Sequence, residues 1–327
     1  MVWSPHPSRE AWSYIESSGV MDDWEQRFKA KEVAIERVDD YLESIQMYVE
    51  GRADGCAMYL FDALTLPALR GVDSTILFVV GFSRGAERVV LRSDQDISGL
   101  RGRSVRVEQF SPAHYLLIRA LEVSGLQRKD ISIINTREQD IPPLFVLEAN
   151  NKNRGAASVG GGSFEQIIGA DREAVSVFDS SMLPGEIISV LVVRSELADE
   201  VKRAVAGAWF ETMQVLGDKN DSGREEILEG MVSSSPMESR MFKSAFKKQK
   251  IFYLAREAAA FTKSYKLKAA IRHMHDFAEG EGFYRESGTS ADNIGVLFPD
   301  GEVMGARDNI KLRIEERYMR MASDWLN

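Results

Sequence analysis

Stretches that alternate apolar and polar residues take turns with stretches of helical spacing along most of the first 190 residues. That alternation predicts an α/β chain built on mostly parallel sheet. Val2-Trp3-Ser4 reads as a short first strand, and Ser8 as the cap of a helix that carries Trp12 and Ile15 and ends at Gly19. Glu32–Val38 alternates at Val33 and Ile35 and predicts a strand; Asp39-Asp40 opens a helix with Ile45, Tyr48 and Val49 on one side, closed by Gly51. Cys56–Phe61 is a strand that stops at Asp62, where a short helix runs on to Leu69. Asp73–Phe82 is strongly β-prone, with Ile76, Leu77, Phe78, Val79 and Val80 in one run.

After a charged segment, 83–102, the alternation resumes. Ser104–Glu108 is a strand with Val105 and Val107 inward, and Ser111-Pro112 is a helix start, with proline at the first helical position. Ile131–Asn135 reads as a strand, Ile141–Leu147 as a short helix, and Gly155–Val159 as a small-residue strand opening into Gly160-Gly161-Gly162. Ser163 caps a further helix before the strand Ala174–Phe178. Past Ile187–Val193 the pattern becomes helical: Asp199–Gly217, Gly223–Met231, Ser235–Lys248, Glu257–Thr262, Lys266–Glu279 and Ile310–Trp325, with a small hairpin at Val296–Val303. No internal repeat interrupts it.

In open α/β sheets ligands collect at the carboxyl ends of strands. Here those ends and the turns beside them deliver Asp62, Ser83, Glu108, Gly161 within the triple glycine, Asp179 and Glu186, with Ser111 at a helix start and Trp12 near the end of the first strand. For each carboxylate alone, a helix cap or a solvated loop acid is the readier explanation. Taken together, the acids describe a pocket suited to a nitrogen-rich, neutral or cationic solute, since a buried cation must be paired and a guanidinium presents planar donors that carboxylates accept. Trp12 either stacks on such a solute or packs its helix to the sheet. Tyr41 and Tyr115 read as packing residues with a rim hydroxyl. Ser83 and Ser111 are possible donors, Ser111 also being a plain cap. Arg9, Arg84 and Arg88 are the basic residues near these positions, and the alternative, an anion pocket, would use Arg84 or a helix start such as Ser111–Ala113.

Composition narrows the partners. The 327 residues suit two lobes rather than one core. Hydrophobic residues make up 44%, charged residues 28%, and mean hydropathy is -0.23. Net charge is -9 with a pI near 5.2, which argues against a nucleic-acid partner. A single cysteine, Cys56, excludes an intrachain disulfide and a cysteine-cluster metal site. His273 and His275 are two apart and point to different helix faces, so no metal and no cofactor is expected. No apolar run is long enough to span a bilayer. The start, Met1-Val2-Trp3-Ser4, has no basic n-region and no apolar h-region, so the chain reads either as cytosolic or as an exported protein whose leader has been removed.

The order and spacing of several short segments carry a resemblance. They include Asp40-Tyr41-Leu42-Glu43-Ser44-Ile45 with Gly51 and Asp54-Gly55, then Asp62-Ala63-Leu64, Gly71-Val72-Asp73-Ser74-Thr75 and Phe82-Ser83-Arg84-Gly85. His114-Tyr115-Leu116-Leu117, Phe178-Asp179-Ser180-Ser181, Pro184-Gly185-Glu186-Ile187 and Ala208-Trp209-Phe210-Glu211-Thr212 follow. Ser290-Ala291-Asp292-Asn293-Ile294-Gly295 and Asn309-Ile310-Lys311-Leu312-Arg313 close the series. Across nearly its whole length the chain resembles the solute-binding proteins of ABC transporters with the type II periplasmic-binding fold. Within them it resembles the nitrate, taurine and thiamine-precursor class, and there the urea-carboxylase-associated subfamily that binds urea, guanidine or amides. Many relatives place a tryptophan and a proline after the strand Ala156–Val159, where this chain has three glycines.

The resemblance implies a two-lobe fold with a helical C-terminal extension. Lobe one would be residues 1–82 plus 190–327 and lobe two residues 83–189, crossing near Gly81–Val90 and Pro184–Val190. It implies a monomeric receptor, periplasmic or anchored outside the cytoplasm, that traps a small molecule by hinge closure and hands it to ABC permease subunits. Guanidine, urea or a related amide or amine is the expected solute, with a sulfonate, nitrate or larger ligand as the alternative. Enzymes related to thiamine-pyrimidine synthesis share the fold, but their cysteine-rich motif is absent and Cys56 has no histidine partner in the pattern, so no catalysis is expected.

Overall fold

Strand formation follows the β-branched runs, and the computed structural model describes residues 1–92, 96–150, 155–285 and 287–326. In chain order the strands are β1 Val2–Trp3, β2 Glu36–Arg37, β3 Gly55–Tyr59, β4 Ser74–Ser83, β5 Arg88–Arg92, β6 Ser104–Val107 and β7 Ser132–Asn135. They continue with β8 Ala156–Val159, β9 Ala174–Asp179, β10 Ile188–Arg194, β11 Gln249–Ile251, β12 Gly295–Leu297, β13 Val303–Met304 and β14 Ile310–Ile314. These form two sheets with helices packed on them, the α/β class that the alternation predicts. One sheet runs β13-β12-β14-β4-β10-β3-β1-β2, with β11 added beside β4; the other runs β7-β6-β8-β5-β9.

Strand direction is more mixed than the alternation alone suggests. β10 lies antiparallel between β3 and β4, and β5 lies antiparallel between β8 and β9. The remaining central pairs, β1 with β2 and β3, β14 with β4 and β12, and β6 with β7 and β8, are parallel. β4, β5, β9 and β10 flank the two points where the chain leaves one sheet for the other, so their direction is set by that passage and not by a helical crossover.

The chain divides into two compact units. Met1–Phe82, Ile188–Arg272 and Tyr284–Asn327 make unit one; Ser83–Ile187 and His273–Phe283 make unit two. The sequence reading placed all of residues 190–327 in the first lobe. The segment His273–Phe283 groups with the second because its side chains are committed there. Phe277 meets the rings of His114 and Tyr115 at 5.0 and 5.5 Å, Phe283 meets Phe110 at 4.9 Å, and Glu281 accepts from Arg128 at 3.0 Å.

Other departures have local causes. The strand expected over Glu32–Val38 shrinks to β2, because its neighbour β1 offers only two residues to pair with. The helix Val20–Phe28 starts at once after Ala11–Ser18, with Gly19 at φ 78 closing one and opening the next; the sequence reading left this stretch without an element. Met21 and Trp24 face inward from it. Trp24 lies so close to Gly207 that an added Cβ there would fall 2.1 Å from the indole, which explains a glycine inside the 19-residue helix Asp199–Gly217. Ile310–Trp325 is strand then helix, not one helix: Leu312 and Ile314 bury at period two in β14, and the helix begins at Arg317.

Candidate functional site

Unit one concentrates polar groups where β1 gives way to the loop Ser4–Glu10. Pro5 and Pro7 hold that loop, and its turn closes when the Arg9 and Glu10 N–H groups donate to the His6 carbonyl at 2.8 and 3.1 Å. The turn sends Arg9 inward, where it is 2% exposed. Its guanidinium sits between two aromatic faces, 4.7 Å from the Tyr41 centroid and 4.8 Å from that of Tyr59. Nη1 donates to Ser4 Oγ at 3.0 Å, but Nε and Nη2 are buried without a hydrogen-bond partner.

The groups around Arg9 are themselves linked. The Tyr41 hydroxyl donates to Asp62 Oδ2 and accepts the Tyr59 N–H at 2.9 Å. His6 Nδ1 lies 2.7 Å from Ser8 Oγ and 3.2 Å from the Ser8 backbone nitrogen, and Nε2 is hydrogen-bonded with the Tyr59 hydroxyl at 3.0 Å. Ser8 Oγ donates to Ser189 Oγ on β10 at 3.2 Å. Burial and the Arg9 charge hold the His6 imidazole well below its ordinary pKa, so it is neutral. Burial pushes the Asp62 carboxyl up to about 6, although the Tyr41 hydroxyl and Arg9 pull the other way. Behind this cluster burial also raises Glu10 to about 6, against a hydrogen bond from Ser234 Oγ at 2.8 Å.

The Asp62 shift sets a pH dependence. An ordinary aspartate titrates near 4, so between about pH 4 and 6 the native chain keeps a proton that the unfolded chain has released. The stability this group contributes is therefore complete below about pH 4 and lost as pH rises through about 6. Asp62→Asn keeps an acceptor for Tyr41 and removes the titration; Glu10, with the same sign, stays in both proteins. The melting temperature of the parent is expected to fall more steeply with rising pH than that of Asp62→Asn between about pH 4 and 6, and to run parallel to it above that range. Parallel curves throughout would show that Asp62 titrates at its ordinary value.

Unit two has its own polar groups at strand ends. The Ser83 hydroxyl, ending β4, donates to Glu87 Oε2 and lies 2.8 Å from Ser180 Oγ, which accepts the N–H groups of Gly85 and Ala86 at 2.8 and 3.1 Å. Burial raises the Glu87 pKa. Asp179 Oδ1 accepts the Ser181 N–H at 2.8 Å, capping the turn Ser180–Met182. Glu108 Oε2 accepts the Glu138 N–H at 3.2 Å, and Glu138 Oε1 accepts the Gly160 N–H at 2.8 Å; burial raises the Glu138 pKa as well. Ser111 Oγ accepts the His114 N–H at 3.2 Å as a helix cap. Gly161 starts the helix Gly161–Ala170, and a Cβ on it would come within 3.5 Å of the Ala86 carbonyl. Glu186 accepts from Tyr115 Oη and Arg119 Nε, both at 2.8 Å, and from Arg119 Nη2 at 3.1 Å, so its carboxylate is engaged inside the unit.

Of the residues singled out from sequence, Asp62 lies in the Arg9 cluster, while Ser83, Glu108, Ser111, Gly161, Asp179 and Glu186 belong to unit two. Trp12 is elsewhere: 1% exposed, it lies against Trp209 at 4.9 Å and Phe78 at 6.5 Å in the core of unit one. Tyr59, Glu87, Glu138 and Ser180 are not among the residues singled out, and Arg9 is there only as one of the basic residues near them. Among the described residues no group of three or more His, Cys, Asp or Glu side chains is placed to hold a metal ion. No helix among them is long and apolar enough to cross a membrane.

No family profile and no curated protein matches the chain. Solved structures do. The periplasmic aliphatic sulphonate binding protein SsuA of Escherichia coli is 15% identical, covers 86% of each chain and superposes with a TM-score of 0.60. A putative sulfonate ABC transporter binding protein of Methylobacillus flagellatus is 11% identical, covers 100% of this chain and 94% of its own, and reaches 0.69. A Candida albicans protein described as defining a new family with the generic periplasmic binding protein fold is 12% identical, covering 88% and 92%, at 0.59. At these identities the likeness establishes the fold, that of periplasmic binding proteins.

Proposed function

We propose that the chain is an extracytoplasmic solute-binding receptor that delivers a small anionic solute, such as a sulfonate, nitrate or carboxylate, to the permease of an ABC importer. The observation that carries this reading is Arg9. A buried guanidinium with two unpartnered donor nitrogens, Nε and Nη2, is costly unless an acceptor completes it, and a bidentate oxyanion has the matching geometry. The acids on which a cationic ligand would depend are more nearly satisfied: Asp179 caps a turn and Glu186 is held by Arg119 and Tyr115. Binding, without turnover, is the proposed activity.

A second reading keeps guanidine, urea or a related amide or amine as the solute. It is favoured by Asp62, whose Oδ2 takes the Tyr41 hydroxyl while Oδ1 has no hydrogen bond among the described residues. Thermal shift against sulfonates, nitrate, carboxylates, guanidinium, urea and simple amides separates the two. An anion is expected to raise the melting temperature increasingly with concentration, as ligand linkage requires. Stabilisation by guanidinium or urea alone would overturn the anionic reading in favour of the second.

A further inference from the structure

The helix Ser239–Lys247 carries a cationic face that the solute-binding reading does not use. At about 100° per residue, Arg240, Lys243 and Lys247 fall within an arc of roughly 60°. All three are exposed, and none has an ion-pair partner among the described residues. On the other side of the helix Phe242 is fully buried and stacked on Phe246 at 5.9 Å, which fixes the face outward. Met241, 40% exposed, lies about 100° round the helix from Arg240, off the cationic face. Several other basic residues of unit one are paired, among them Lys263 with Glu316, Lys268 with Asp300 and Glu302, and Lys311 with Asp73. In a chain of net charge -9, three cations on one helix face form a local patch of the opposite sign.

We infer that this face is a docking surface for an anionic lipid bilayer, which turns the helix Ser239–Lys247 toward the membrane. Charge complementarity selects an anionic partner. A bilayer is favoured over a nucleic acid because a planar surface meets one face of a protein and leaves the acidic remainder in solvent, whereas nucleic-acid binding goes with a basic domain or groove. The inference is independent of which solute the chain binds.

Vesicle co-sedimentation tests it, using roughly 30% phosphatidylglycerol in phosphatidylcholine against phosphatidylcholine alone. The parent is expected to bind only the anionic vesicles, with affinity falling about five-fold for each cation removed and declining as salt rises. Arg240→Glu with Lys243→Glu and Lys247→Glu should abolish binding and leave the melting temperature and solute binding unchanged. A control of equal net charge, reversing Arg256, Lys263 and Lys266, should bind as the parent does apart from a small general loss. The inference is overturned if the parent ignores anionic vesicles, if the control loses binding as fully as the triple variant, or if a short single-stranded DNA binds more tightly than the vesicles do.

Discussion

Arg9→Met is expected to abolish solute binding while leaving the unliganded protein about as stable as the parent. The two halves of that result have one cause. In the unliganded chain Arg9 has a single hydrogen bond, to Ser4, and gains otherwise from the faces of Tyr41 and Tyr59. Two desolvated N–H groups oppose that gain. Methionine fills nearly the same slot between the rings without a buried charge, and replacing buried ionic groups by apolar ones of similar volume is often neutral or stabilising. With an oxyanion in place the balance reverses, because both donors are then satisfied in a dry setting. Truncating one partner of such a pair costs about 2–5 kcal/mol, or roughly 30-fold to several thousand-fold in Kd. Arg9→Lys keeps the charge and loses the fork, so it should fall between. Calorimetric titration with the anion found by thermal shift, beside melting curves of the free proteins, checks both halves. A parental Kd in Arg9→Met would remove Arg9 from the site, and a melting temperature lowered by more than about 4 °C would show that the residue stabilises the fold itself.

Much of the architecture was legible because the apolar runs are long and their period changes cleanly. β4 and β10 have buried side chains along nearly their whole length and read as strands on composition alone. β5 was not legible: Arg88-Val-Val-Leu-Arg sits in a charged segment, and its pairing with β8 and β9 comes from far along the chain. The candidate site was legible in part for a related reason. Sequence marks the ends of strands, hence Asp62, Ser83 and Asp179, but not which groups are already satisfied. Glu186 and Asp62 look alike as acids near turns; only the fold shows that Arg119 grips one in bidentate fashion while the other keeps an open oxygen. Arg9 gave the opposite difficulty, since a buried, half-partnered arginine is a rare outcome that no local pattern signals.

Trp12 tests the same limit from the stability side. A tryptophan near a strand end reads as a ring for a planar solute, yet its indole is sealed in the core, against Trp209 at 4.9 Å and Phe78 at 6.5 Å, with Trp209 and Phe78 themselves 5.5 Å apart. Trp12→Ala removes one ring of that cluster, and truncating a large buried aromatic costs about 3–5 kcal/mol. For a chain whose whole stability is on the order of 5–15 kcal/mol, that is a large fraction. Trp12→Phe should cost far less. It keeps a ring in the stack and gives up no hydrogen bond, because the indole N–H of Trp12 is buried without a partner. Denaturant unfolding of the three proteins gives the order parent, Phe, Ala, and below the transition each is expected to bind solute with a Kd near the parent's. If Trp12→Ala instead unfolds as the parent does and binds solute weakly, the ring faces the ligand and the core assignment fails. Core and ligand roles predict opposite pairs of results, so two measurements on one variant decide between them.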